Sequence, residues 1–262
     1  MSRDDATDFY DGLAADYHLI HRDWDRSLES QGACLDRLIA AELGPGPHRL
    51  LDCSCGIGTQ ALGLAMRGHR VHATDISPAS VARAEREAAR RGLDLGFGVA
   101  DMTALEAAAP APFDAVVSCD NAFAHLLDDD ALIAAARSMA AVARPGGLVL
   151  ISLRDYDALI TERPRFQPPG VVDAPSGERV TFQIWDWAED GRRYSMRLFL
   201  LRAEGEGWVA RHHRTRLRAL TRAELGRALT AAGLDTPRWH MPEASGYYQP
   251  IVTARKPEAT PL

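Results

Sequence analysis

Four acidic residues and a glycine-rich turn stand at strand-end intervals in the first half of the chain. Leu51-Asp52-Cys53-Ser54-Cys55-Gly56-Ile57-Gly58-Thr59-Gln60-Ala61 leaves an apolar run, crosses two glycines and enters a helical pattern. Glycine permits a tight turn and a close ligand approach, and the start of a helix presents unpaired N–H groups. Asp75 lies 19 residues beyond Gly56, at the end of the next apolar run. A carboxylate there can accept bonds from both hydroxyls of a ribose. Asp101-Met102 follows the third run and offers an acid for an adenine amino group beside an apolar cover for its ring. Cys119-Asp120-Asn121 ends the fourth, where a transferred group would be received.

Two cofactors compete for this pattern. Gly56-x-Gly58-x-x-Ala61 with a distant acid satisfies the dinucleotide fingerprint, which leaves an NAD(P)-dependent oxidoreductase as a remote alternative. Asp52 stands four residues before Gly56, where a dinucleotide fold stays apolar. Together with Asp101 and the Cys119-Asp120-Asn121 turn it favours S-adenosylmethionine. A hydride-transferring enzyme would also need a Ser-Tyr-Lys-type set, and the single lysine, Lys256, lies in the tail.

The elements that must position these residues alternate. Strands are expected at 49–52, 70–74, 95–99, 113–119 and 148–153. Helices are expected at 58–67, from Ser77-Pro78 to Gly92, and from the Asp128 cap to about residue 143. Alternation of this kind implies a parallel sheet covered on both faces. Residues 156–178 are rich in Pro and Gly. Longer antiparallel strands are then expected at 180–187, 192–201 and 208–220. A helix at 221–232 and a strand at 248–254 should return to the main sheet. The first 45 residues read as a helical cover, and residues 46–262 as one domain with an antiparallel insertion at about 175–220. At that length the insertion is too short for a core of its own.

Composition narrows the function. The 262 residues carry a net charge of −6 and are 46% hydrophobic. That disfavours a nucleic-acid partner bound through phosphate neutralisation. No apolar run reaches the ~18–20 residues of a membrane span. The polar start does not read as a signal peptide, and the four cysteines form no CxxC pair, so a reducing cytoplasm and no metal site are expected. Cys53 and Cys55 read as packing residues. Arg202, Arg211, Arg214, Arg216, Arg218 and Arg222, with His212 and His213, resemble a basic patch, but their alternation reads as the solvated face of a strand. A homo-oligomer is left open.

The motifs LLDCSCGIGTQ, ATDIS, VADM, FDAVVSCDNAFAHL and RPGGLVLISLRDYD together resemble the class I S-adenosylmethionine-dependent methyltransferases. Within them the chain is most similar to the glycine and sarcosine N-methyltransferase group. The resemblance implies a Rossmann-like α/β fold with a mostly parallel seven-stranded sheet. It places Ser54, Gly56 and Cys119 at the methionine end of the cofactor, Asp75 on the ribose, Ile76 on the adenine, and Asp101 and Met102 at the adenine edge and face. Asn121 and His125 would lie at the mouth of the transfer site. Arg154 would grip an acceptor carboxylate. Tyr17 and Trp24 would close over the sulfonium, worth ~1–2 kcal/mol through their ring faces. In this group a glycine usually stands where this chain has Asp120, and an asparagine where it has Asp155.

These departures surround the acceptor. N-methylation of a small-molecule amine or amino acid is the first expectation, with Asn121 orienting the nitrogen lone pair and Tyr248 lining the acceptor site. Arg154 has a plainer reading, an ion pair with Asp155, Asp157 or Glu162. The alternative is C-methylation of an indole-type precursor in secondary metabolism. It requires several of Phe9, Tyr10, Trp24, Trp185, Trp187, Tyr247 and Tyr248 to line one cavity, and Glu29 to accept the ring N–H.

Overall fold

The computed structural model describes residues 4–108, 112–173 and 177–259. The chain opens with helices α1 (Asp4–Leu13) and α2 (Trp24–Leu43). It then alternates β1 (Arg49–Asp52), α3 (Thr59–Ala65), β2 (Arg70–Asp75), α4 (Pro78–Arg91) and β3 (Gly96–Val99). β4 (Phe113–Ser118), α5 (Asp129–Val142), β5 (Ala143–Ser152) and α6 (Tyr156–Glu162) follow. Four strands come next: β6 (Phe166–Val172), β7 (Arg179–Trp187), β8 (Arg193–Glu204) and β9 (Gly207–Arg218). The chain ends with α7 (Arg222–Ala231), β10 (Arg238–His240), α8 (Pro242–Ser245) and β11 (Ile251–Arg255).

The helix starts follow their caps. Ser77 accepts from the Ser80 N–H, with Pro78 at the first turn of α4. Asp128 accepts from the Ala131 N–H at α5. Thr221 and Glu224 form a reciprocal capping box at α7. Each satisfies N–H groups that a helix start leaves unpaired.

The main sheet has seven strands in the order β10-β11-β5-β4-β1-β2-β3. β11 alone runs against its neighbours β5 and β10, and the other pairs are parallel. This is the mostly parallel Rossmann-like sheet expected. Its glycine turn, Asp75 and the Cys119 turn therefore share the C-terminal edge, where open α/β sheets hold ligands.

A separate antiparallel sheet runs β6-β7-β8-β9. It begins at Phe166, earlier than the expected 175, because β6 carries Pro168-Pro169 and reads as a loop. Proline is tolerated on an edge strand, and the register shifts between Gln167 and Gly170. The inner face of this sheet, through Trp185, Tyr194, Met196, Leu198, Leu200 and Leu217, joins the same buried cluster as Val149 and Ile151 of β5 and Leu132 and Met139 of α5.

The first 45 residues divide. α1 docks on β9, where Asp16 and Asp5 pair with Arg211 (2.7 Å) and Arg216 (3.3 Å). Asp11 of α1 also accepts from the Ser77 hydroxyl and the Ala79 N–H at the start of α4. α2 lines a cavity with Ser27, Ser30 and Gln31 and is also anchored to the main domain. It packs backbone to backbone on α3, and a Cβ at Gly32 would lie 2.5 Å from the Gly63 carbonyl. The basic strand β9 is not simply solvated. Arg211 and Arg216 hold α1, and Arg218 is buried against Asp129 and Glu224.

Candidate active site

Two cavities open at the C-terminal edge of the main sheet. The first, about 450 Å³, is lined by Tyr17, Ser54, Gly56, Asp75, Ile76, Asp101, Met102, Cys119 and His125. Nine of the expected site residues thus surround one space. The turn that starts it is held open by backbone conformation: Gly56 has φ +51° and Gly58 φ +98°. A Cβ at Gly56 would lie 3.3 Å from the Tyr17 ring. Glycine is needed for the dihedral and for the approach of the ring.

Asp75 is fixed from both sides. Its Oδ2 accepts from the Gly56 N–H (2.8 Å) and its Oδ1 from the Ser77 N–H (2.9 Å). Burial raises its pKa and these backbone donors oppose the rise. A carboxylate offers about four acceptor sites, which leaves room for a further donor. Asp101 Oδ1 caps its own turn through the Thr103 N–H (2.8 Å) and hydroxyl (2.7 Å), while the residue also lines the cavity. Beneath the turn, Asp52 is fully buried and its pKa is pushed up to about 8, mainly by burial. Cys53, Cys55 and Cys119 are buried thiols whose pKa values burial pushes well up, so they stay protonated. His125 is pushed down to about 4 by burial, with Arg154 adding to the shift. It is therefore neutral near pH 7, and its Nε2 lies 3.0 Å from the Tyr10 hydroxyl.

The second cavity, about 630 Å³, lies between α2, the inner face of the antiparallel sheet and the Tyr247-Tyr248 turn. Its walls include Gln31, Arg154, Gln183, Tyr247 and Tyr248, and it shares Tyr17 and Asp120 with the first cavity. Arg154 donates to the Tyr194 hydroxyl (3.1 Å) and Gln183 Oε1 (3.4 Å), and its guanidinium carbon lies 4.9 Å from the Trp185 ring centre. Burial alone would lower its pKa, but Tyr194 and Tyr156 raise it, so the guanidinium is charged. The ion pair considered for it does not form. Asp155 and Asp157 pair with Arg222 instead (2.6 and 3.5 Å), and among the described residues no carboxylate pairs with Arg154. Two of its five N–H groups are used by these bonds, which leaves donors toward the cavity.

Three expected site residues are placed elsewhere. Asn121 is buried with φ +74° and lines neither cavity. Its amide donates to the Tyr156 hydroxyl (3.0 Å) and its Oδ1 accepts from the Arg154 N–H (3.3 Å). Tyr156 in turn contacts Tyr194 (2.8 Å), so Asn121 belongs to the hydrogen-bond network around Arg154. Trp24 lines neither cavity. Its indole donates to Thr59 (2.9 Å) and stacks under Arg91 (4.9 Å) in a core with Leu28 and Ile57. Glu29 is exposed on α2 and lines neither cavity. The other aromatics scatter. Tyr10 lines the first cavity, Tyr247 and Tyr248 the second, and Trp185 and Trp187 pack on Tyr194 at 4.5 and 5.0 Å. Phe9 is a core residue.

Asp120, expected only as part of the turn after the fourth strand, lines both cavities. Its oxygens accept from Tyr247 (2.8 Å), Tyr248 (2.6 Å) and Gln60 (2.7 Å). The signal was present, an acid where similar chains carry glycine. Gln183, Tyr156 and Tyr194 gave none, since neither spacing nor composition brings them to Arg154.

Residues 50–147 match the family model described as "Methyltransferase domain". The chain is 31% identical over 157 residues to the glycine/sarcosine N-methyltransferase of Parasynechococcus marenigrum, covering 60% of this chain and 52% of that protein. It thus spans about half the length of that curated relative. Two solved structures share the fold. The DesVI protein of Streptomyces venezuelae superposes with a TM-score of 0.76 at 20% identity, covering 95% of this chain and 98% of that one. The amino pentose methyltransferase CalS10 of Micromonospora echinaspora, solved with S-adenosylmethionine bound, does so with 0.71 at 21%, covering 87% and 91%. The glycine turn lies within the residues matched by the methyltransferase model, and these matches favour S-adenosylmethionine over a nicotinamide cofactor.

Proposed function

We propose that this chain, a class I S-adenosylmethionine-dependent methyltransferase by domain and fold, transfers the sulfonium methyl group to the nitrogen of a small amine that carries a carboxylate. The observation that carries the reading is Arg154, a half-buried, charged guanidinium on the wall of the second cavity with no carboxylate partner among the described residues. A guanidinium held on a cavity wall with free N–H groups and no carboxylate partner is matched best by a bidentate carboxylate.

The sulfonium methyl is already activated, so the protein's task is to align the nucleophile and exclude water. Asp75 holds the ribose, Asp101 and Met102 the adenine, and Ser54, Gly56 and Cys119 flank the methionine part. Tyr17, on the wall of both cavities, covers the place where the methyl group passes from one to the other. A cavity of about 630 Å³ is in the size range of drug-sized ligands, which favours an amino acid with a substantial side chain over glycine itself. The similarity to a glycine/sarcosine N-methyltransferase supports an amino-acid nitrogen. The indole reading loses its base, because Glu29 lies outside both cavities.

The test combines purified protein and methyl-labelled S-adenosylmethionine with glycine, sarcosine, aromatic amino acids, their decarboxylated amines and indoles, and reads the products by mass spectrometry. Label on the nitrogen of a carboxylate-bearing amine, and not on its decarboxylated counterpart, is expected. Label on an indole carbon, or on carboxylate-free amines alone, overturns the reading.

A further inference from the structure

Asp120 has a backbone conformation that favours another residue and a carboxyl group that, among the described residues, has no ion-pair partner, although His21 and Arg154 line the same cavity. Its φ is +56°, and Asn121 beside it has +74°, so two consecutive non-glycine residues hold left-handed conformations. Glycine adopts this region without strain. The side chain accepts only from neutral donors: the Tyr247 and Tyr248 hydroxyls on Oδ1 and the Gln60 amide on Oδ2. Among the described residues no arginine, lysine or histidine forms an ion pair with it. A carboxylate offers about four acceptor sites, so three donors leave room for one more. The residue lies on the wall common to both cavities.

The geometry points to Asp120 as the group that binds the acceptor's ammonium nitrogen and takes its proton before methyl transfer. This rests on the reading that the acceptor is an amine. An ammonium ion has no lone pair and cannot attack, so one proton must leave first. The N–H bond of the ammonium breaks, the proton passes to Asp120 Oδ2, and the nitrogen keeps the electron pair. That pair forms the new N–CH₃ bond as the S–CH₃ bond breaks, and the sulfonium's bonding pair returns to sulfur. The products are S-adenosylhomocysteine and an N-methylammonium. The carboxyl then gives its proton to solvent on the side of Tyr248, whose side chain is half-exposed and bonded to Oδ1. Arg154 and Asp120 thereby recognise opposite ends of a zwitterion, and the acidic end decides which nitrogen faces the first cavity.

The test compares wild type, Asp120→Asn and Asp120→Gly between pH 6 and 10. Glycine, sarcosine, L-phenylalanine and L-tryptophan serve as probes, and S-adenosylmethionine affinity is measured in parallel. Asparagine keeps the shape and tolerates the left-handed backbone; glycine relieves it, so the second variant guards against a folding failure in the first. For whichever probe the wild type methylates, kcat/KM in both variants is expected to fall about a hundredfold at pH 7, the scale of a positioned proton acceptor, and to converge to within about threefold at pH 10, where the free amine predominates. Cofactor affinity is expected to stay within about threefold, a fraction of the effect of a positioned proton acceptor. Loss that is equal at every pH, unchanged kcat/KM, or loss confined to cofactor affinity overturns the assignment while leaving the N-methyltransferase reading in place. A wild type that methylates none of the amines overturns both.

Discussion

The two cavities that meet at Tyr17 and Asp120 are built in opposite ways. The first collects residues that end strands of the parallel sheet: Asp75 closes β2, Asp101 follows β3, and Cys119 follows β4. Each lies within two residues of the strand that positions it. The second collects residues from α2, the turn after β5, the antiparallel sheet and the Tyr247 turn, which are joined by contacts such as Tyr247 to Gln31 across 216 positions. Backbone N–H groups hold the carboxylate of the first site, and side chains hold both charges of the second. A cofactor common to many enzymes suits a site fixed by backbone. An acceptor that differs between enzymes suits one built of replaceable side chains.

The sharpest way to separate them is at Arg154. Arg154→Lys keeps the charge but removes the planar fork, so the Michaelis constant for a carboxylate-bearing acceptor is expected to rise tenfold or more, since a charge-assisted grip contributes about 1.5–3 kcal/mol. S-adenosylmethionine affinity, measured by calorimetry, should not change. Equal weakening of both ligands would show the cavities to be one cooperative unit. A flat response to the substitution would remove the carboxylate grip altogether.

The complementary change is Asp75→Ala. Leaving two ribose hydroxyls without their acceptor is expected to weaken S-adenosylmethionine binding by about 1–3 kcal/mol while the acceptor's Michaelis constant at saturating cofactor stays near wild type. Part of that loss is local reorganisation, because Gly56 and Ser77 lose their own acceptor. Asp75→Asn keeps one acceptor oxygen but turns the other into a donor, and its loss should fall between wild type and Asp75→Ala. Unaltered affinity in Asp75→Ala would put the ribose elsewhere.

The same contrast governs what could be read from the chain. The parallel sheet and the first cavity were legible because apolar runs, caps and strand-end acids are contiguous signals. The capping residues Ser77, Asp128 and Thr221 all act where expected. The second cavity was only partly legible. Arg154 stood out as a lone cation after a strand, but its partners Gln183 and Tyr194 come from strands that pair 29 and 40 positions away. Trp24 and Glu29 misled for one physical reason: α2 packs on α3 through Gly32 and Gly63, which turns Trp24 into a core and Glu29 toward solvent. A helical pattern shows that one face is buried and does not say against what.

The effect furthest from either ligand concerns Asp52, on which the first cavity's turn rests. Its Oδ1 accepts from the Ser54 N–H at 3.3 Å, and its Oδ2 has no partner among the described residues. Burial raises its pKa to about 8, with Asp75 and Asp120 adding to the rise. The unfolded chain ionises this carboxyl near pH 4 and the folded chain only near pH 8, so its contribution to stability is full below pH 4 and is lost as pH rises to 8. Asp52→Asn keeps the shape and a donor but has no proton to lose. Its melting temperature relative to wild type is therefore expected to be level at pH 4 and to climb through pH 6, reaching a gap of roughly 5–10 °C at pH 8 for a few kcal/mol in a chain of this size. His125 works in the other direction. Its pKa of about 4 lies below the unfolded value, so its contribution is present above pH 6.5 and is lost as pH falls to 4. Both proteins carry His125, so its effect cancels in the difference, and only Asp52 leaves a gap that widens with pH. Cofactor-free protein must be used on both sides, since a bound ligand stabilises by its own affinity. A gap that is constant with pH, or that widens toward acid, would mean that Asp52 is ionised in the folded chain. The turn would then rest on a charge instead of a neutral acid.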